Sequence, residues 1–98
     1  MYEKFGNIKT IRGIKYYIKT VKPKHFMVKY HGFGISTYVL NELLVHEVKK
    51  IVFVYEGTIQ KVYVCDLDKF IGSDKRHIFL EDDEQKFVSI KDMEDESV

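Results

Sequence analysis

The sequence predicts an α+β domain: a mostly antiparallel sheet of five to seven strands with one main helix, residues 36–47, packed on it. Three observations carry that expectation. Apolar residues alternate with period two in several short runs bounded by Gly, Pro or charged residues. One stretch, TYVLNELLVHE, instead spaces its apolar residues as a helix does. The 98 residues are 45% hydrophobic and 14% aromatic, which supports one core and is too little chain for two.

The elements follow in order. NIKTIRGIKYYIKTV reads as two strands around Arg12-Gly13, with Ile14, Tyr16 and Ile18 on one face and Lys15, Tyr17 and Lys19 on the other. Pro23 cannot donate to a ladder, so KPKHFMVKY is a third strand or an irregular extended segment. HGFGIS reads as a loop that opens the helix, with Ser36 as its cap. Val39, Leu40, Leu43 and Leu44 form the helix stripe. KKIVFVYEGTIQKVYVCDL is the clearest hairpin, and its strands are apolar on both faces, which places it centrally or under cover on both sides. DLDKFIGS is a short helical turn or loop. RHIFL and QKFVSI form a last hairpin across the acidic run Glu81–Glu84. The folded unit is expected over residues 1–91, with 92–98 as a frayed acidic tail.

Charge divides the chain. Residues 1–50 carry ten basic residues against three acidic ones, and residues 51–98 carry six against twelve, so halves of +7 and −6 hide behind a net charge of +1. The one cysteine, Cys65, excludes an internal disulfide, and no apolar run approaches the length of a bilayer span. The expected setting is cytoplasmic, in a prokaryotic cell or an infected host, without a membrane. The Lys, Ile, Val and Tyr richness fits a prokaryotic, archaeal or viral source.

Chemistry-bearing motifs are few. Glu47-Val48-Lys49 has the spacing of half a metal-dependent nuclease site, but no Asp or Glu lies between Glu3 and Glu42 to supply the acid from a preceding strand. Asp66 and Asp68 could face a hard cation, and they are equally good helix-start residues. His25, His31, His46 and His77 lack metal-ligand spacing. His31, Gly32, Gly34 and Ser36, at the start of the helix, are the candidate anion site, although they match neither a dinucleotide fingerprint nor a P-loop. Neither a catalytic group, nor a metal, nor a cofactor is assigned.

The basic, aromatic first third is the strongest functional signal. Lys15, Tyr17, Lys19, Lys22, Lys24 and Lys29 are the candidate nucleic-acid contacts, because lysines can track phosphates while a tyrosine stacks on bases. Tyr17, Tyr30 and Phe33 are the candidate protein-interface anchors. The reading is a small non-enzymatic binding or accessory protein, of the kind a virus or mobile element encodes, that acts by macromolecular interaction. A protein partner is favoured over nucleic acid, and a homodimer through exposed strands is in keeping with it. Nucleic-acid binding is the first alternative and a metal-dependent nuclease the second.

Overall fold

The computed structural model describes residues 7–79 and 83–96, so Glu81 and Asp82 of the expected acidic connection lie outside the described residues. Strand β1 (Asn7–Ile11) and strand β2 (Ile14–Val21) form the first hairpin. Its turn, Arg12-Gly13, has positive φ at both positions, 54° and 82°, the backbone twist that suits a two-residue hairpin. A 3-10 turn at Pro23–His25 follows, then a tight loop closed by a bridge between Met27 and Gly32. Next come β3 (Gly32–Ser36), helix α1 (Thr37–Val45), β4 (Lys50–Glu56), β5 (Gln60–Asp66), the short helix α2 (Leu67–Ile71), β6 (Arg76–Ile78), β7 (Glu84–Ser89) and β8 (Glu94–Asp95).

The class is α+β with one main helix, as expected, but the described residues form eight strands in two sheets where five to seven strands in one sheet were expected. The larger sheet has the order β1-β2-β4-β5-β8 and the smaller one β3-β7-β6. All pairings are antiparallel except β2 with β4, which run parallel.

Two of the strands lie where none was expected. Gly32–Ser36 reads as a loop by its glycines, yet Phe33 and Ile35 alternate inward at 1% exposure each and the backbone pairs with β7. Within the stretch expected to fray, Met93 is buried and Glu94–Asp95 pair with Tyr63 and Val64. The apolar anchor at Met93 holds the acidic residues after it against β5.

Helix α1 is shorter than 36–47. Ser36 Oγ accepts from the Tyr38 N–H at 3.2 Å and caps its start. Its end is a Schellman motif: Glu47 N–H donates to Leu44 O and Val48 N–H to Leu43 O, both at 3.0 Å, with Glu47 at φ 61°. Val48 and Leu43, both buried, supply the apolar contact that accompanies this ending. Of the expected stripe, Val39, Leu40 and Leu43 are buried, while Leu44 is 48% exposed. A left-handed Glu is strained where Gly is not, so Glu47→Gly is expected to stabilise the fold by about 0.5–1 kcal/mol, read as a higher urea midpoint with an unchanged m-value.

The core lies on one face of the larger sheet. Tyr17 and Val21 from β2, Ile51 and Phe53 from β4, and Tyr63 and Cys65 from β5 all point inward. Phe33 lands at their centre, stacked on Phe53 with ring centroids 5.2 Å apart. The smaller sheet, α1 and α2 cover this inner face, with Val39, Leu40 and Leu43 from α1 and Leu67 and Phe70 from α2. Burial pushes the Cys65 thiol up to about 12, so it packs as a small apolar group rather than as a nucleophile.

Candidate functional site

Two features of the surface stand apart from this core. The first is the outer face of the larger sheet. Strand registers place its side chains in rows across the strands. One row runs Ile18, Val52, Val64, Glu94. The next runs Lys9, Tyr16, Lys50, Asp66, and its Lys50 Nζ donates to Asp66 Oδ1 at 2.8 Å. On the far side, Thr20, Val54 and Val62 line up beside Glu96, whose N–H donates to Val62 O. Ile18, Val52, Val54, Val62 and Val64 are half-buried, and Ile11 and Ile14 at its β1–β2 corner are exposed. The central hairpin is therefore central, as expected, but among the described residues the core packs on one of its faces.

Charge grades across that face. The β1 edge carries Lys9, the middle is apolar apart from the row of Tyr16 and the Lys50–Asp66 ion pair, and the β8 edge carries Glu94 and Glu96. The sheet order keeps β1 and β2, from the basic half of the chain, apart from β5 and β8, from the acidic half. The charge split of the sequence thus survives in this sheet as a gradient.

The second feature is a cavity of about 260 Å³ between the C-terminal half of β2, the Pro23–His25 turn and the outward face of the smaller sheet. Its lining includes Lys19, Lys24 and His25 and the rings of Phe26, Phe79 and Phe87. Gly34 makes room for the Phe87 ring: a Cβ there would lie 2.5 to 2.8 Å from three of its atoms. The ring also packs on Tyr30, with centroids 5.0 Å apart, and Tyr30 Oη donates to Arg76 O at 2.7 Å. His25 Nδ1 accepts from the Lys22 N–H at 2.9 Å, which fixes the ring and leaves Nε2 as its other polar atom. Burial, then the charges of Lys19, Lys24 and Lys22, hold the His25 pKa below its ordinary value, and burial lowers that of Lys19. Among the described residues no carboxylate lies within ion-pair distance of Lys19 or Lys24.

The residues named from sequence divide accordingly. Lys19, Lys22 and Lys24 gather around the cavity with His25, a residue that composition alone did not single out. Lys15 lies at the opposite end of β2, where its Nζ donates to His46 O at 3.0 Å. Tyr17, between Lys15 and Lys19 on the same face, is 2% exposed and belongs to the core, so its ring is closed to a base or a partner. Phe33 is buried likewise, whereas Tyr30 is half-buried. Lys29 is exposed, with its Nζ 5.3 Å from the centre of the Tyr30 ring.

The four anion-site residues do not form a loop cradle. Gly32 and Gly34 lie within β3, Ser36 caps α1, and exposed His31 packs edge-on against Phe26 at 5.3 Å. Glu47 is taken up in the ending of α1. Asp66 stands at the start of α2 but gives its carboxylate to Lys50, which holds its pKa below the ordinary value, rather than to the helix. Among the described residues no three His, Cys, Asp or Glu side chains come together as a metal would require. No helix among them is long and apolar enough to cross a membrane. No family model, curated protein or solved structure matches this chain.

Proposed function

We propose that this protein is a small non-enzymatic binding domain that acts by macromolecular association, and that the outer face of the five-stranded sheet docks against a second copy of itself. The observation that supports this is the apolar centre of that face, Ile18, Val52, Val54, Val62 and Val64, over which none of the described elements packs. The three inner strands, seven to eight residues long and about 4.8 Å apart, with the shorter β1 and β8 beside them, present a footprint of at most roughly 500 Å² per partner, the low end of specific interfaces.

Charge selects the occupant and its orientation. In a face-to-face pair whose two-fold axis runs along the strands, β1 of one copy lies over β8 of the other. Lys9 then lies over the acidic edge one row from Glu94, and β4 packs its valines on their own equivalents. A two-fold across the strands would instead bring the acidic β8 edges together. The gradient thus favours one of the two simple pairings.

Sedimentation equilibrium across the micromolar range is expected to give a dimer. Val62→Lys, which places a charge within the apolar part of the face, is expected to give a folded monomer by the same measurement and by circular dichroism. Lys9→Glu alone should weaken the dimer, and pairing it with Glu94→Lys should restore it. A monomeric wild-type protein, or a dimer indifferent to Val62→Lys, would overturn the proposal.

The nucleic-acid alternative draws less support from the geometry. The core residue Tyr17 separates Lys15 from the Lys19–Lys24 cluster, so these lysines do not make one basic track along β2.

A further inference from the structure

We infer that the cavity between β2, the Pro23–His25 turn and the β3–β7 face is a binding site for a small planar organic anion: one aromatic ring carrying one phosphate, sulfonate or carboxylate group. Size, lining and charge agree on that class.

The volume, about 260 Å³, falls just under the range of drug-sized sites, so the occupant is small. Half-buried Phe26 and exposed Phe79 offer ring surface to a planar apolar group, Gln85 adds an amide, and Phe87, 2% exposed, closes the wall behind them. Lys19, Lys24 and His25 supply polar lining, and the Lys22 backbone N–H holds the imidazole in place. Lys19 and Lys24 have no carboxylate partner among the described residues, and Lys19 is half-buried while Lys24 and His25 are exposed. Two lysines at one cavity repel each other, the more so with one of them partly desolvated, and a bound anion relieves that cost.

The same geometry sets the pH behaviour. The charged groups facing His25 are Lys19 from β2 and Lys22 and Lys24 from its own turn, while the β3 and β7 side chains of the cavity bear no charge. With its folded-state pKa depressed, His25 holds a proton less readily in the folded than in the unfolded chain. Its contribution to stability is therefore complete above the ordinary value of 6.5 and declines as the pH falls below it. Protonation would place a hydrogen on Nδ1 and break its bond from the Lys22 N–H, so the neutral ring, with its Nε2–H as donor, is the form that meets an anion.

Benzenesulfonate is a suitable probe because its own charge does not change there. Titrated into the full chain and followed by NMR, it is expected to shift the ring resonances of His25, Phe26 and Phe79 saturably. Sulfate, which lacks the ring, and benzenesulfonamide, which lacks the charge, should each bind at least tenfold more weakly. Lys19→Met keeps the aliphatic stem and should lose at least tenfold in affinity while retaining the wild-type spectrum elsewhere. Absence of a saturable shift, equal affinity for the neutral sulfonamide, or an unchanged affinity in Lys19→Met would overturn the inference. The cavity belongs to the inner side of β2 and not to the outer sheet face, so the dimer proposal and this one stand or fall separately.

Discussion

Gly32→Ala is expected to destabilise the protein by about 3 kcal/mol or more, the largest effect of any single-methyl change in the chain. Gly32 pairs with Ser89 where β3 runs closest to β7. A Cβ at this position would collide with the Val88 carbonyl oxygen and lie 2.8 Å from the Ser89 Cα. Both obstacles are backbone, so no rotamer change relieves them. The strand would have to move away from its partner, and β3 also carries Phe33 and Ile35 into the core. Urea denaturation measures the loss, and a change under about 1 kcal/mol would show that the two strands approach less closely than described. Gly34→Ala is the internal control. The clash there is with the Phe87 ring, a side chain that can rotate, so the cost should be smaller and should fall on the cavity rather than on the ladder.

Phe53→Ala is expected to cost about 3–5 kcal/mol, a large part of the whole stability of a domain this size. Phe53 is fully buried on the central strand and joins the two halves of the core. Its ring stacks on Phe33 of the smaller sheet at 5.2 Å and meets Phe70 of α2 at 5.8 Å. Removing it leaves a void bounded by three separate elements, none of which can collapse inward without leaving its own partners. Thermal unfolding should show the midpoint lowered by more than about 12 °C. Phe53→Leu, which retains most of the volume, should lose clearly less. Equal losses for the two variants would mean that ring stacking, rather than filled volume, carries the effect.

The local part of this fold is written plainly in the chain. Alternation and a two-residue turn were enough to find the first hairpin, and two β-branched runs around Glu56-Gly57-Thr58 marked the central one. Glycine misled at Gly32–Ser36, because a residue that suits loops also suits a strand pressed against another backbone. Phe33 and Ile35, two apart, were the overlooked sign. The faces of the central hairpin were ambiguous since both are apolar. Residue size separates them: Tyr17, Phe53 and Tyr63 mark the inner face, while the outer one is mostly valine. The cavity was half legible. Lys19, Lys22 and Lys24 stood out as a basic run, but Phe79, Gln85 and Phe87 come from a distant hairpin and meet them only through tertiary packing. The charge gradient likewise depended on strand order, which no local pattern encodes.

The parallel pairing of β2 with β4 has a consequence for how the protein is made. Its partners are separated by 28 residues, Lys22 to Lys49, whereas the β4–β5 hairpin closes over three. Closing the longer loop costs more entropy before any contact repays it. Both hairpins close over short turns, but β4 and β5 come later in the chain, so during synthesis the basic N-terminal strands emerge well before the edge they are to join. Until Lys50–Asp66 have left the ribosome, β2 has only β1 beside it, and a two-stranded ribbon holds marginally on its own. The parallel seam in the middle of the finished sheet is thus the last of its long contacts to close.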